Sequence, residues 1–210
     1  SENLIYLGDT ARCPYGIKSN DVVTQYACEN SEFLVERNVK MLVVACNTVS
    51  AVALSTLKKR FDIPIIGVID PGATAAVRAT KNGKIGVIGT DSTIASGAYT
   101  QAIRRIDASV EIYTRACPLF VPLVEEGWTD NEVTRSTVAM YLNSLKQSGI
   151  DTMILGCTHY PLLNVRPFAS RVIIGLDDEW VGASAPNIHG LISPDNSKQN
   201  TPPQSTGSHD

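Results

Sequence analysis

The sequence of 210 residues has no surplus of positive charge: 18 Lys and Arg stand against 21 Asp and Glu, for a net charge of −3. That balance argues against a surface that tracks nucleic-acid phosphates. No apolar run approaches the ~18 residues that a membrane-spanning helix needs, so neither nucleic acid nor a membrane is an expected partner. Ser1-Glu2-Asn3 lacks the basic stretch leading into an apolar one that marks a secretory leader. Gly83, Gly86 and Gly89 do not make a G-x-G-x-x-G loop, and no Walker loop is present. The five cysteines include no C-x-x-C pair and none with the Cys/His spacing of a structural zinc site. No metal site is therefore expected. An odd number of cysteines without a leader reads as free thiols in a reducing compartment, the cytoplasm.

What is present is ordinary for a globular chain: 43% hydrophobic and 19% charged residues. Short apolar runs alternate with amphipathic stretches. Leu4–Leu7 is a brief apolar run. Met41–Ala45, Ile63–Ile69, Ile85–Ile88, Val110–Tyr113 and Met153–Leu155 have the length and content of strands, the first two of buried ones. Helical patterns cover Asp21–Glu36 (with Val22, Tyr26, Phe33 and Leu34 on one side), Ser50–Arg60, Pro71–Thr80, Thr93–Ile106, Pro118–Glu126 and Asn131–Gln147. Such alternation predicts an α/β fold with parallel sheets covered by helices. The polar turn Lys81–Lys84 divides it into two parallel-sheet halves, residues 1–82 and 83–164. Residues 165–210 are set apart as an atypical, largely disordered tail, in which Val172–Ile174 has the pattern of a strand. From Ser193 onward the chain is too polar to offset its ordering entropy.

Two cysteines occupy matching places. Met41-Leu42-Val43-Val44-Ala45 leads into Cys46-Asn47-Thr48, and Met153-Ile154-Leu155-Gly156 leads into Cys157-Thr158-His159. Each is an apolar strand, one small residue, a cysteine and two polar side chains. Ligands of parallel α/β sheets bind beyond the carboxyl ends of strands, and a helix start there can lower a thiol pKa. Two opposed thiols suit proton transfer on the two faces of one carbon, each serving as acid or base by turns. A cysteine at a strand end is also a common small hydrophobe, and Cys13, Cys28 and Cys117 keep that reading. A thiol phosphatase loop is excluded, because Val52 and Leu163 stand where its arginine is needed. A Cys–His hydrolase through Cys157 and His159 stays open, although no third orienting residue is evident.

Gly8-Asp9-Thr10-Ala11-Arg12-Cys13-Pro14-Tyr15-Gly16, Val44–Thr48, Gly86–Thr90, Ala116–Gly127 and Leu155–Leu163 together resemble the ordered motifs of bacterial glutamate racemases. The resemblance runs from about residue 3 to residue 164. It implies two α/β halves in pseudo-twofold relation with the active site in the cleft between them. It also implies cofactor-independent interconversion of L- and D-glutamate, supplying D-glutamate for peptidoglycan. By this resemblance Cys46 and Cys157 are the acid/base pair, and His159 and Glu125 are auxiliary groups. Tyr15 and Gly16 contact substrate largely through their backbone. Asn47, Thr48, Thr158 and His159 hold its carboxylates and amine. Glutamate is the expected partner, and a homodimer the expected assembly. The family opens with a strand ending in Asp-Ser-Gly, before the point where this sequence starts, and continues after Leu163 with elements that residues 165–210 do not match. Cys13 stands where many members carry another small or apolar residue, and no consequence is expected of it.

Overall fold

The structure, a computed structural model, describes residues 2–174. The tail expected from Ser193 lies outside the described residues. Helix α1 (Asn20–Val35) begins at Ser19, whose hydroxyl accepts from the Val22 amide, and carries Asp21 in its first turn. Strand β1 (Leu42–Val44) pairs in parallel with β2 (Ile65–Gly67), Leu42 opposite Ile65. Between them lie α2 (Asn47–Val52) and α3 (Leu54–Arg60), separated at Ala53, where a single helix was expected.

The buried face of α1 is Val23, Ala27, Cys28 and Ser31; of the predicted side Leu34 packs against this core, whereas Phe33 is exposed and Val22 and Tyr26 are only half-buried. Small side chains on this face let the helix approach α2 and α3, where Val49, Ala53 and Leu57 complete a core with Leu42 and Ile65. The bulky aromatics move to the flanks under arginines: Arg37 lies over Phe33 at 3.2 Å and Arg12 over Tyr26 at 4.2 Å. The strands expected to be buried are covered on one face only. Leu42 and Ile65 are buried, while their neighbours Val43 and Ile66 are exposed. The run Leu4–Leu7 forms no strand.

The second sheet is larger and entirely parallel, in the order β4 (Glu111–Ala116), β3 (Lys84–Gly89), β5 (Thr152–Gly156), β6 (Arg171–Ile173). Strand β6 realises the pattern seen at Val172–Ile174. All five residues of β5 are buried, as a strand covered on both faces requires. Ile154 joins Ile85 and Val87 beneath α4 (Ile69–Ala79) and α6 (Ala98–Ile106). Met153 and Leu155 point the other way, toward α7 (Phe120–Glu125) and α8 (Glu132–Gln147). This is the period of two that a pleated strand imposes. The helix expected over Thr93–Ile106 is two: α5 (Asp91–Ala95) and α6, divided at Gly97, whose φ of +65° a larger residue rarely adopts.

Helix α4 precedes the Lys81–Lys84 turn, yet it packs Ile69, Ala73 and Ala76 on the larger sheet. Asp151 fastens that turn. Its carboxylate accepts from the Thr80 hydroxyl and the Lys81 amide, each at 2.7 Å, and pairs with Arg171. Burial opposes its ionisation, but these donors prevail and hold the carboxyl below its ordinary value.

Candidate active site

Both motif cysteines follow the carboxyl end of a parallel strand. Cys46 lies after β1 with φ −76° and ψ 124°, the extended geometry of a helix N-cap, and its carbonyl accepts from the Ser50 amide at 2.9 Å. Ser50 itself donates to the Val44 carbonyl and accepts from the Val68 amide, joining the ends of β1 and β2 beneath this cysteine. Burial raises the Cys46 thiol above its ordinary value. The Val49 and Thr48 amides and the Thr48 hydroxyl, which favour thiolate, act against it.

Cys157 follows β5 and is 8% exposed. The small residue before it is required. A Cβ on Gly156 would lie 2.7 Å from the Ile88 carbonyl oxygen of the adjacent strand. Burial pushes the Cys157 thiol up to about 12, against the favourable amides of His159 and Tyr160. A thiolate at Cys46 or Cys13 would raise it further, so the three sulfurs share one region. The Cys157 sulfur is 3.7 Å from His159 Nδ1, and His159 Nε2 is 2.5 Å from Glu125 Oε1. Thiol, imidazole and carboxylate thus form a chain from the buried sulfur to an exposed carboxylate. Tyr160 holds it in place. Its buried ring meets Phe120 of α7 edge-on at 5.0 Å, and its hydroxyl donates to the Cys117 carbonyl at 2.9 Å. That contact fixes the 3-10 turn Tyr160–Leu162 against the helix that ends at Glu125.

The other expected residues are placed unevenly. Asn47 and Thr48 are buried at the start of α2, and each is tied to the larger sheet's helices. Tyr99 of α6 donates to Asn47 Oδ1 at 2.6 Å. The Thr48 hydroxyl meets those of Thr90 and Thr93 at 3.0 and 3.2 Å, and these two meet each other at 2.9 Å. Gly16 packs on this cluster, where an added Cβ would lie 2.4 Å from Thr90 Cγ2. The Tyr15 hydroxyl donates to Asp9 and accepts from Asn30 Nδ2 at 3.1 Å, while Arg12 pairs with Asp9 and Glu29. This knot pins the loop to α1 and leaves Tyr15 its ring and backbone for other contacts. Thr158 is exposed beside Cys157.

Thr90, Thr93, Tyr99 and Ser50 were not anticipated. Thr90 could have been found as the end of the Gly86–Thr90 motif, but Tyr99 sits in a helix without a distinguishing pattern. A cavity of about 470 Å³ lined by Lys146, Arg166, Phe168 and Val172 lies elsewhere. Its wall includes Ile150, which precedes β5, whereas Cys157 follows that strand. Among the described residues no helix is long and apolar enough to cross a membrane.

The chain is similar in sequence and in fold to known proteins. It is 59% identical over 162 residues to a glutamate racemase of Geobacter metallireducens, covering 77% of this chain and 60% of the relative. It is 45% identical to the crystal structure of glutamate racemase from Aquifex pyrophilus, with a TM-score of 0.72 over 90% of this chain and 73% of that one. A glutamate racemase of Francisella tularensis solved with D-glutamate superposes with a TM-score of 0.75 at 34% identity, covering 81% of this chain and 66% of that one. The chain spans about three-fifths of the length of curated relatives such as the first. The profile of the Asp/Glu/Hydantoin racemase family matches residues 2–173, and the chain belongs to that family.

Proposed function

We propose that the protein interconverts L- and D-glutamate without a cofactor, in the cytoplasm, and so supplies D-glutamate for peptidoglycan. The observation that carries this reading is the pairing of Cys46 and Cys157, each beyond a parallel strand and near enough for their charges to interact. One cysteine, as thiolate, removes the α-proton. The other, as thiol, delivers its own proton to the opposite face. The reverse reaction exchanges their roles, so no external proton donor is consumed in a cycle.

Burial keeps both thiols protonated at rest, which supplies the acid directly and makes formation of the base the costly step. For Cys46 the helix-start amides and the Thr48 hydroxyl reduce that cost. For Cys157 the His159–Glu125 pair is positioned to take up and return a proton. Gly16 and Tyr15 contact substrate through the backbone; Asn47, Thr48, Thr158 and His159 complete its binding. Assembly as a homodimer belongs to the same reading.

Incubation with each enantiomer of glutamate in D₂O, followed by proton NMR, tests the proposal. Deuterium at Cα together with the opposite enantiomer supports it. No exchange from either enantiomer overturns it for this chain, and exchange with aspartate alone transfers the activity to the shorter substrate.

A further inference from the structure

A third thiol lies beside this site, and the proton transfer does not use it. Cys13 belongs to the loop pinned on α1. Its sulfur, a carboxylate oxygen of Glu125 and a ring nitrogen of His159 all lie within 4.8 Å of one another. The three residues come from distant parts of the sequence: the loop before α1, the end of α7 and the turn after β5. Cys13 and Glu125 are exposed and His159 partly so, so solvent and small ions reach them.

Thiolate, imidazole and carboxylate are the donors zinc takes, at bond lengths of about 2.0–2.3 Å. Around a tetrahedral ion these lengths separate the donor atoms by about 3.5 Å. The Glu125–His159 pair, at 2.5 Å, must open by about 1 Å to meet that geometry, the Cys13 sulfur lies within 4.8 Å of both, and two of the three side chains are exposed and can rotate.

We propose that Cys13, Glu125 and His159 form a binding site for a thiophilic divalent cation of the zinc type, with the fourth position open to solvent. The ion replaces the Cys13 thiol proton, which leaves to solvent, and forms a metal–sulfur bond. It also replaces the hydrogen bond between His159 Nε2 and Glu125 Oε1: the proton shared there moves to His159 Nδ1, and the neutral imidazole binds through Nε2. His159 and Glu125 are then no longer free to exchange a proton with Cys157. The cation is therefore an inhibitor and not a participant in turnover. That consequence rests on the racemase reading, whereas the binding itself does not.

Titration of the full chain with Co²⁺, followed by its absorption spectrum, decides the matter. The expected result is one ion per chain with a thiolate-to-cobalt charge-transfer band that Zn²⁺ abolishes by displacement. Cys13→Ser should remove the band and weaken binding at least about tenfold. Glu125→Gln should weaken binding and retain the band, and Cys157→Ser should retain it too. No band in the parent chain overturns the site. So does a band that survives Cys13→Ser, or one lost in Cys157→Ser instead. Zn²⁺ should slow α-proton exchange in the parent at concentrations that leave Cys13→Ser unaffected. Equal inhibition of both would overturn the link to Cys13. A chain that exchanges no α-proton but gives the Cys13-dependent band would refute the racemase reading and leave the metal site standing.

Discussion

Cys46 and Cys157 occupy matching points beyond parallel strands, but the help each receives differs in kind. Among the described residues, Cys46 is helped by fixed dipoles: two amides at the start of α2 and the hydroxyl of Thr48. Cys157 has amides of the same sort and, in addition, an imidazole backed by a carboxylate. Dipoles stabilise a thiolate without taking its proton, whereas an imidazole can accept one. The sheets differ in parallel. The strand before Cys46 belongs to a pair covered on one face, and the strand before Cys157 is buried on both. Similar sequence motifs thus support two unlike ways of reaching a thiolate.

The largest expected effect comes from removing either thiol. Cys46→Ala or Cys157→Ala should lower racemisation by at least about 10²–10⁴-fold, measured by circular dichroism of the glutamate pool. Retention of full activity in either variant would refute the two-thiol mechanism. L- and D-glutamate have equal free energies in water, so kcat/KM must fall by the same factor in both directions. The asymmetry lies elsewhere: in Cys46→Ser and Cys157→Ser the remaining thiol should still exchange the α-proton of one enantiomer, a different one in each variant.

The pH dependence follows from the raised thiols. Thiolate is the deprotonated form, so raising the pH increases the amount of base, while the partner thiol stays protonated. With Cys157 pushed up to about 12 and Cys46 also raised, kcat/KM should climb between about pH 7 and 9, by up to roughly tenfold per unit. A profile that falls over this range would contradict the burial of the thiols.

The difference between the two sides can be sharpened by lesser changes. His159→Asn should slow exchange of the enantiomer that Cys157 deprotonates by up to about 100-fold and affect the other much less. Thr48→Val should do the reverse, by about tenfold, because of the two thiols its hydroxyl assists Cys46. Equal effects of both substitutions on both enantiomers would erase the distinction. The smallest effect is expected for Tyr99→Phe, which leaves Asn47 Oδ1 without its donor and should cost about 1–3 kcal/mol in urea denaturation.

Much of this arrangement was legible before any coordinates. The strand-and-cysteine motifs placed Cys46 and Cys157 correctly beyond parallel strands, because short apolar runs of that length form strands and the chain must turn after them. The face of α1 was only partly legible: Leu34 and Cys28 pack on the core, but the aromatics do not lie in it. A helical period identifies a stripe of large apolar residues, but close packing against α2 and α3 selected Ala27 and Ser31, and arginines covered the aromatics. The break at Gly97 was hidden because glycine is tolerated within a helical pattern. Helix α4 lies before the polar turn in sequence, and only packing assigns it to the larger sheet.

By itself the sequence determined the alternation of strands and helices, the two thiols and their polar neighbours. These are local properties, written in consecutive residues. Only the tertiary structure decided that Glu125 reaches His159, that Tyr99 holds Asn47, that three threonine hydroxyls meet and that Cys13 joins the Glu125–His159 pair. Apart from Thr90 and Thr93, which share the start of α5, these contacts join side chains on separate elements, at least 34 residues apart in the sequence. Their meeting depends on how helices settle on the two sheets, which no short stretch of sequence encodes.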